Sequence, residues 1–111
     1  MRRTPLSWAA RYGHEGTVKL LLESRKVDVN SKDRDGGTPL WWATRYGHEG
    51  VVQALLGTGK VQADSKDQDG LTPLSQAVKN RHNVVAELLR DHISKDRSRS
   101  ILGRLIKSTI G

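Results

Sequence analysis

The sequence has no cysteine and no phenylalanine, and only one methionine, among its 111 residues. Without cysteine there is neither a disulfide framework nor a thiolate metal site. Without phenylalanine, the core has to be built from leucine, valine, alanine and tryptophan, within an apolar fraction of 35%. No apolar run approaches the ~20 residues that a membrane-spanning helix needs. We therefore expect one compact domain without a membrane span, in a cytoplasmic or nuclear setting.

One segment recurs at a fixed spacing along the chain. The tripeptide TPL begins at Thr4, Thr38 and Thr72, so the period is 34 residues in both intervals. The copies read TPLSWAARYGHEG, TPLWWATRYGHEG and TPLSQAVKNRH, and the first two units are identical at 21 of 34 positions. A fixed period of this size is typical of a supersecondary unit that is copied and stacked.

Each unit has the pattern of two short helices. Threonine before proline is a helix start, because the hydroxyl caps free N–H groups and proline loses no hydrogen bond at the first helical position. Gly13 is expected to end the first helix, and Asp35-Gly36 predicts a turn after the second. The apolar residues at helical spacing in the first unit are Leu6, Ala9 and Ala10, then Val18, Leu21 and Leu22.

The second unit keeps this pattern, while the third departs from it. The expected stripes are Leu40, Ala43, Thr44, Val52, Leu55 and Leu56 in the second unit, and Leu74, Ala77, Val78, Val85, Leu88 and Leu89 in the third. Placing Val85 on its stripe requires one residue fewer between the two helices. Arg81 stands where Gly13 and Gly47 stand, so we expect a strained helix end there.

These recurring elements resemble the ankyrin repeat, whose hallmark is TPLHxAA, then GH, then VxxLL, then a finger loop with DVN and DxxG. The resemblance implies an all-α solenoid of three helix-turn-helix units with hairpin-like fingers, the third unit being imperfect. The domain is 1–93, with repeats 4–37, 38–71 and 72–93, followed by a basic tail, 94–111. Near-identical units of this length also resemble the ankyrin arrays of fungal multidomain receptor-like proteins, which implies a fragment or a short relative.

The chain departs from the family pattern in three places. The usual histidine after TPL is replaced by Ser7, Trp41 and Ser75, so the bonds that it makes between repeats must be lost or replaced. The unit is one residue longer than the usual 33, and we place the extra residue near Arg25-Lys26 and Gly59-Lys60. A shortened third finger is expected at 94–99, where Ser98 replaces the aspartate and Arg99 the glycine of the other fingers.

The net charge of +7 is unevenly distributed along the chain. The tail 94–111 carries a net +4, whereas residues 1–93 carry only +3. A surface that tracks phosphates needs clustered lysine and arginine, so the repeats do not predict nucleic-acid binding. The tail sequence SILGRLIKSTIG leaves three alternatives open: a helix that caps the stack, a disordered tail, or a helix that binds an anionic or membrane surface.

No motif predicts catalysis or a cofactor. The His14-Glu15 and His48-Glu49 pairs lack the second histidine of a zinc protease helix, and the resemblance gives these histidines a structural role. The DRDG and DQDG segments lack the acidic first ligand and the final glutamate of a calcium loop. We therefore expect a protein that is not an enzyme and binds no metal.

The three tryptophans divide into two groups. Trp8 and Trp42 are equivalent positions and are expected to pack between repeats, where they supply buried area. Trp41 replaces a serine of the other units, so either packing or partner contact remains open for it.

In ankyrin repeats the first-helix ends and the finger tips line a concave face that meets partners. The resemblance implies a protein partner at this face, with simple solvation as the alternative for any one residue. The implied contact residues are Arg11, Tyr12, Lys32, Arg34, Asp35, Trp41, Arg45, Tyr46, Lys66, Gln68, Asp69, Lys79 and Asn80.

The predicted function is therefore non-catalytic protein–protein binding, with no nucleic-acid partner and with self-association through uncapped stack ends as a further expectation. One alternative is a structural spacer of a longer array without a partner of its own. Another is binding of nucleic acid or an anionic surface by the tail.

Overall fold

The computed structural model describes residues 4–34 and 36–95. Over these residues the chain is helical in six stretches and has no β-strand. The helices form one pair in each 34-residue unit, as predicted. They are α1 Pro5–Arg11, α2 Glu15–Glu23, α3 Pro39–Arg45, α4 Glu49–Leu56, α5 Pro73–Lys79 and α6, residues 83–95 of the described part.

Each first helix begins at a threonine–proline pair. The hydroxyl oxygens of Thr4, Thr38 and Thr72 accept a backbone N–H three residues further on, at 3.1, 3.1 and 3.2 Å. Proline follows at the start of the helix, where a backbone N–H would have no helical partner. The predicted helix starts are confirmed.

First helices of successive units pack on one another, and so do second helices. Helix α1 packs on α3 and α3 on α5, while α2 packs on α4. This stacking buries apolar stripes that no single unit can bury alone. Leu40 and Leu55 of the middle unit are completely buried. The other predicted stripe residues that are buried are Leu6, Ala9, Ala10, Val18, Ala43, Thr44, Val52, Ala77, Val85 and Leu89.

The third unit keeps the 34-residue register, so the predicted one-residue deletion is wrong. In all three units the first residue after the turn donates its backbone N–H to the equivalent carbonyl of the first helix in its own unit, at 2.9 Å. Ala86, which is only 3% exposed, therefore occupies the position of Val18 and Val52. The misplacement arose because alanine is a weaker hydrophobic signal than Val85 beside it.

Val78 was predicted to lie in the third stripe and is instead 51% exposed. Its equivalents, Ala10 and Thr44, are covered because another first helix packs on α1 and on α3. Helix α5 has no following first helix among the described residues, which leaves Val78 uncovered on that side.

Left-handed backbone ends each first helix. The φ angle is 71° at Gly13 and Gly47 and 61° at Arg81, so the expected strain at the arginine is confirmed. A Cβ atom at Gly13 would lie 2.6 Å from the His48 ring, and one at Gly47 would lie 2.7 Å from the His82 ring. Glycine is needed wherever the histidine of a following unit packs on the turn.

The fingers are closed by Asp33 and Asp67. In the first finger Asp33 donates its N–H to the Gly37 carbonyl at 3.0 Å, and the Gly37 N–H donates to Asp33 Oδ1 at 2.9 Å. Asp67 and Leu71 make the same two bonds in the second finger, both at 2.9 Å. The predicted hairpin-like finger is confirmed in both units.

In the third unit α6 continues where the other second helices end. Arg25 and Gly59, near which the extra residue was placed, have left-handed φ angles of 58° and 71°. Ile93 stands at the equivalent position, and a β-branched side chain disfavours that conformation. The helix runs on through Ser94 and Lys95, so the predicted third finger is wrong over those two residues. The predicted capping helix in the rest of the tail lies outside the described residues.

Candidate protein-binding surface

Six residues at the ends of the first helices form a surface that we call the ladder. Each first helix ends in a basic residue, followed by the residue that closes the helix. Because the first helices stack in register, these ends lie about one helix spacing apart, ~8–10 Å. Tyr12 is 48% exposed and Tyr46 is 44% exposed. The ladder consists of Arg11, Tyr12, Arg45, Tyr46, Lys79 and Asn80.

Aromatic side chains stack along helices α1 and α3. Trp8 and Tyr12 are one turn apart, and their ring centroids are separated by 5.0 Å with 25° between the planes. Trp42 and Tyr46 stack in the same way at 6.2 Å and 10°. Residues four apart on a helix share a face, and each tyrosine ring is held in this stack while nearly half of the residue stays exposed.

The Arg11 guanidinium lies among three of these rings. Its carbon is 4.8 Å from the Trp42 ring centroid, 5.4 Å from that of Tyr12 and 5.8 Å from that of Tyr46. A cation within about 6 Å of a ring face is attracted by the ring quadrupole. Arg11 therefore links the first two units across the ladder.

Arg45 occupies a similar environment one unit further on. Its guanidinium carbon is 5.5 Å from the Trp41 ring centroid and 5.8 Å from that of Tyr46. Within the described residues, neither Arg11 nor Arg45 forms an ion pair with a carboxylate. The two guanidinium groups are oriented by rings rather than neutralised by acids.

Histidines of the second and third units hold the helix ends beneath the ladder. The Nε2 atom of His48 is 2.9 Å from the Arg11 carbonyl oxygen, and that of His82 is 2.9 Å from the Arg45 carbonyl oxygen. Carbonyls at a helix C-terminus lack helical partners, so these contacts satisfy them. The structural role predicted for His48 is confirmed. The role of His82 was missed because the glycine before it is replaced in the third unit.

Trp41 and Trp42 both donate an indole N–H to a finger aspartate. Trp42 bonds to Asp33 Oδ2 of the preceding finger at 2.6 Å, and Trp41 bonds to Asp67 Oδ2 of the following finger at 2.7 Å. Trp42 is 6% exposed, which confirms its predicted packing between repeats. Trp8 was expected to pack likewise and is instead 45% exposed. Trp41 thus supplies a bond from its helix to the finger of its own repeat, at the position of the missing histidine.

The Asp67 carboxylate is held in its charged form. Burial raises its pKa, but three N–H donors, from Leu71, Trp41 and Asp69, outweigh that effect. The charge of Lys79 acts in the same direction, so the pKa lies below the ordinary value of 3.8. A carboxylate that accepts several N–H bonds favours ionisation.

The finger residues predicted to contact a partner lie at the surface. Equivalent positions of the two fingers are joined by long hydrogen bonds, from Lys32 Nζ to the Lys66 carbonyl at 3.5 Å and from the Gln68 side-chain amide to the Arg34 carbonyl at 3.4 Å. Asp35 lies outside the described residues. The exposed finger residues are Lys32, Arg34, Lys66, Gln68 and Asp69.

A cleft of about 410 Å³ opens between the ends of α1 and α3 in the ladder. It is lined by Arg11, Tyr12, Tyr46 and His48. A larger cleft of about 590 Å³ lies where the second helices meet their fingers, and its lining contains no aromatic side chain. The ladder cleft combines a cation with aromatic faces, which suits a group with both anionic and apolar parts.

The described residues show neither a metal cluster nor a membrane span. No three histidine, aspartate or glutamate side chains among them converge as ligands would. In the same part of the chain, no helix has the length and apolarity to cross a membrane.

The family model for ankyrin repeats matches residues 6–99 in three copies. This range includes the ladder and both fingers. A search among curated proteins finds no significant match.

Proposed function

The chain belongs to the ankyrin repeat family, whose members are generally protein–protein interaction modules, and from that premise we propose that it binds a protein partner through the ladder and the finger tips. The proposed role is non-catalytic. The stacked helices supply a rigid support, and the residues at the helix ends supply the contacts.

The observation that carries this proposal is the exposure of two oriented tyrosines. Tyr12 and Tyr46 are 48% and 44% exposed, although each is stacked on a tryptophan of its own helix. Tyrosine and arginine supply much of the energy at protein interfaces. Rings that are already stacked lose little conformational freedom on binding, so the ladder is prepared for contact.

The outer face offers less to a partner. Its charged residues include the i,i+4 pair of Glu15 and Lys19 at 2.9 Å, with both side chains about half exposed. Exposed pairs of this kind contribute little free energy. Leu20 is 69% exposed, but a single apolar residue on a surface is common and marks no site.

Affinity capture from a native extract tests the proposal. A partner retained by the natural chain should be lost when Tyr12→Ala and Tyr46→Ala are combined. The matched control is Leu20→Ala, which removes an exposed apolar side chain from the outer face and should leave capture unchanged. Equal capture by the double tyrosine variant would contradict the proposal.

The same experiment separates the alternatives. A chain that captures nothing fits a structural spacer. Capture with a steep salt dependence, abolished by deleting 94–111, indicates binding by the tail. Self-association through the stack ends stays a prediction, which sedimentation at rising concentration would test.

A further inference from the structure

We propose that the ladder recognises an acidic segment of its partner, with two carboxylates on alternate residues and an apolar residue two positions from one of them. This inference rests on the proposed function and adds the chemistry of the partner. It concerns Arg11, Arg45 and the ring of Tyr46 between them.

The two guanidinium groups keep their hydrogen-bond donors available. A guanidinium has five N–H donors in its own plane, and contact with a ring face does not satisfy them. Within the described residues no carboxylate is paired with Arg11 or Arg45. A carboxylate has two oxygens that match the guanidinium fork, and such bidentate bonds are among the stronger ones in proteins.

The spacing of the two groups suits a short segment. Both guanidinium carbons lie 5.8 Å from the Tyr46 ring centroid, so at most twice that distance separates them. Alternate residues of an extended chain point to the same side and are ~7 Å apart. Two such carboxylates can reach Arg11 and Arg45 together, while an apolar side chain two residues from one of them, on the same side of the segment, enters the cleft beside Tyr12.

The charge around the ladder favours a short acidic segment over a long polyanion. Arg11, Arg45 and Lys79 give the ladder a charge of +3, whereas the first finger, 31–37, is neutral and the second, 65–71, carries −1. Binding of nucleic acid draws on many lysine and arginine contacts along the phosphate backbone. Here the two adjoining fingers add no net positive charge to that of the ladder.

Peptide selection against the whole chain tests the proposal. Peptides selected from a random displayed library should be enriched in alternate acidic residues with an apolar residue two positions from one of them. A synthetic peptide with glutamates at those two positions should bind about tenfold or more tightly than the same peptide with glutamines, because charge-assisted bonds are lost. This difference should disappear when Arg11→Gln and Arg45→Gln are combined.

The control is Arg90→Gln, which removes an exposed arginine from α6 and should preserve the difference. Arg11→Lys combined with Arg45→Lys keeps both charges but removes the bidentate guanidinium groups. This variant should retain only part of the difference in affinity between the two peptides. Equal affinity of the two peptides for the natural chain, or tighter binding of a phosphoserine peptide or a single-stranded oligonucleotide, would overturn the inference. A partner still lost from the Tyr12/Tyr46 variant would then leave the proposed function standing.

Discussion

Trp41 donates its indole N–H to the Asp67 carboxylate of the following finger, 26 residues along the chain, at 2.7 Å. The other two repeats have serine at this position, and Ser7 and Ser75 contact the capping threonine of their own helix instead, at 3.3 and 3.0 Å. The middle repeat therefore uses this helix position for a bond to its own finger, where its neighbours use it for a contact three residues away.

Trp41→Phe should lower the free energy of unfolding by ~1–3 kcal/mol. The substitution keeps an aromatic ring but removes one of the three N–H donors to a charged acceptor, and bonds to charged groups are worth about this much. Denaturant unfolding measures the change. Asp69→Asn is the control, because Asp69 is exposed, and it should have little effect. Equal stability of Trp41→Phe and the natural chain would show that the bond contributes nothing.

A fall in pH should weaken the hydrogen bond between Trp41 and Asp67. The pKa of Asp67 in the folded chain is below 3.8, because the hydrogen bonds from three N–H groups outweigh the effect of burial. A lowered folded-state pKa gives stability that is present above the unfolded pKa and is lost as the pH falls through the folded pKa. The free energy of unfolding should therefore fall below about pH 5 more steeply for the natural chain than for Asp67→Asn. Parallel pH profiles for the two proteins would be incompatible with this explanation.

The turns between paired helices should respond in opposite directions to substitution. Gly47→Ala should lower the free energy of unfolding by ~2 kcal/mol or more, because the new Cβ meets the His82 ring in a left-handed backbone conformation. Arg81→Gly should raise the free energy of unfolding by up to ~1 kcal/mol, because glycine adopts the left-handed conformation without strain. Thermal unfolding of the two variants checks both signs. A stabilised Gly47→Ala protein would refute the described packing of the turn.

The middle repeat should be the most sensitive part of the core. Leu55 is completely buried, so Leu55→Ala should cost ~2–5 kcal/mol and unfold much of so short an array. Leu20→Ala makes the same chemical change at a residue that is 69% exposed, and should alter the melting temperature little. Similar melting curves for the two variants would contradict the stacking of α4.

The repeat architecture could be predicted from sequence because its signals are local. A threonine cap, a proline at the first helical position and apolar residues three and four apart each act within one helix. Their recurrence at 34 residues made the stacked fold predictable. The ladder followed in the same way, since Arg11 and Arg45 stand at equivalent helix ends.

The remaining features depend on contacts between residues that are far apart in the sequence. Trp8 and Trp42 are equivalent in sequence, but Trp42 bonds to the finger that precedes it, and no finger precedes Trp8 within the described residues, so their burial differs. Val78 looks like a core residue until the absence of a following first helix among the described residues is known. The bond from Trp41 to Asp67 joins residues with no sequence signal in common.

The dissociation constant of a captured partner, measured for variants of the ladder and of the outer face, tests where binding occurs. Arg45→Ala combined with Tyr46→Ala should weaken binding by ~2 kcal/mol or more, about 30-fold, because both side chains lie at the middle of the ladder. Lys19→Ala on the outer face should leave the constant unchanged, and both variants should remain folded at the temperature of the binding measurement. Loss of binding by Lys19→Ala together with full binding by the Arg45/Tyr46 variant would contradict partner binding at the ladder.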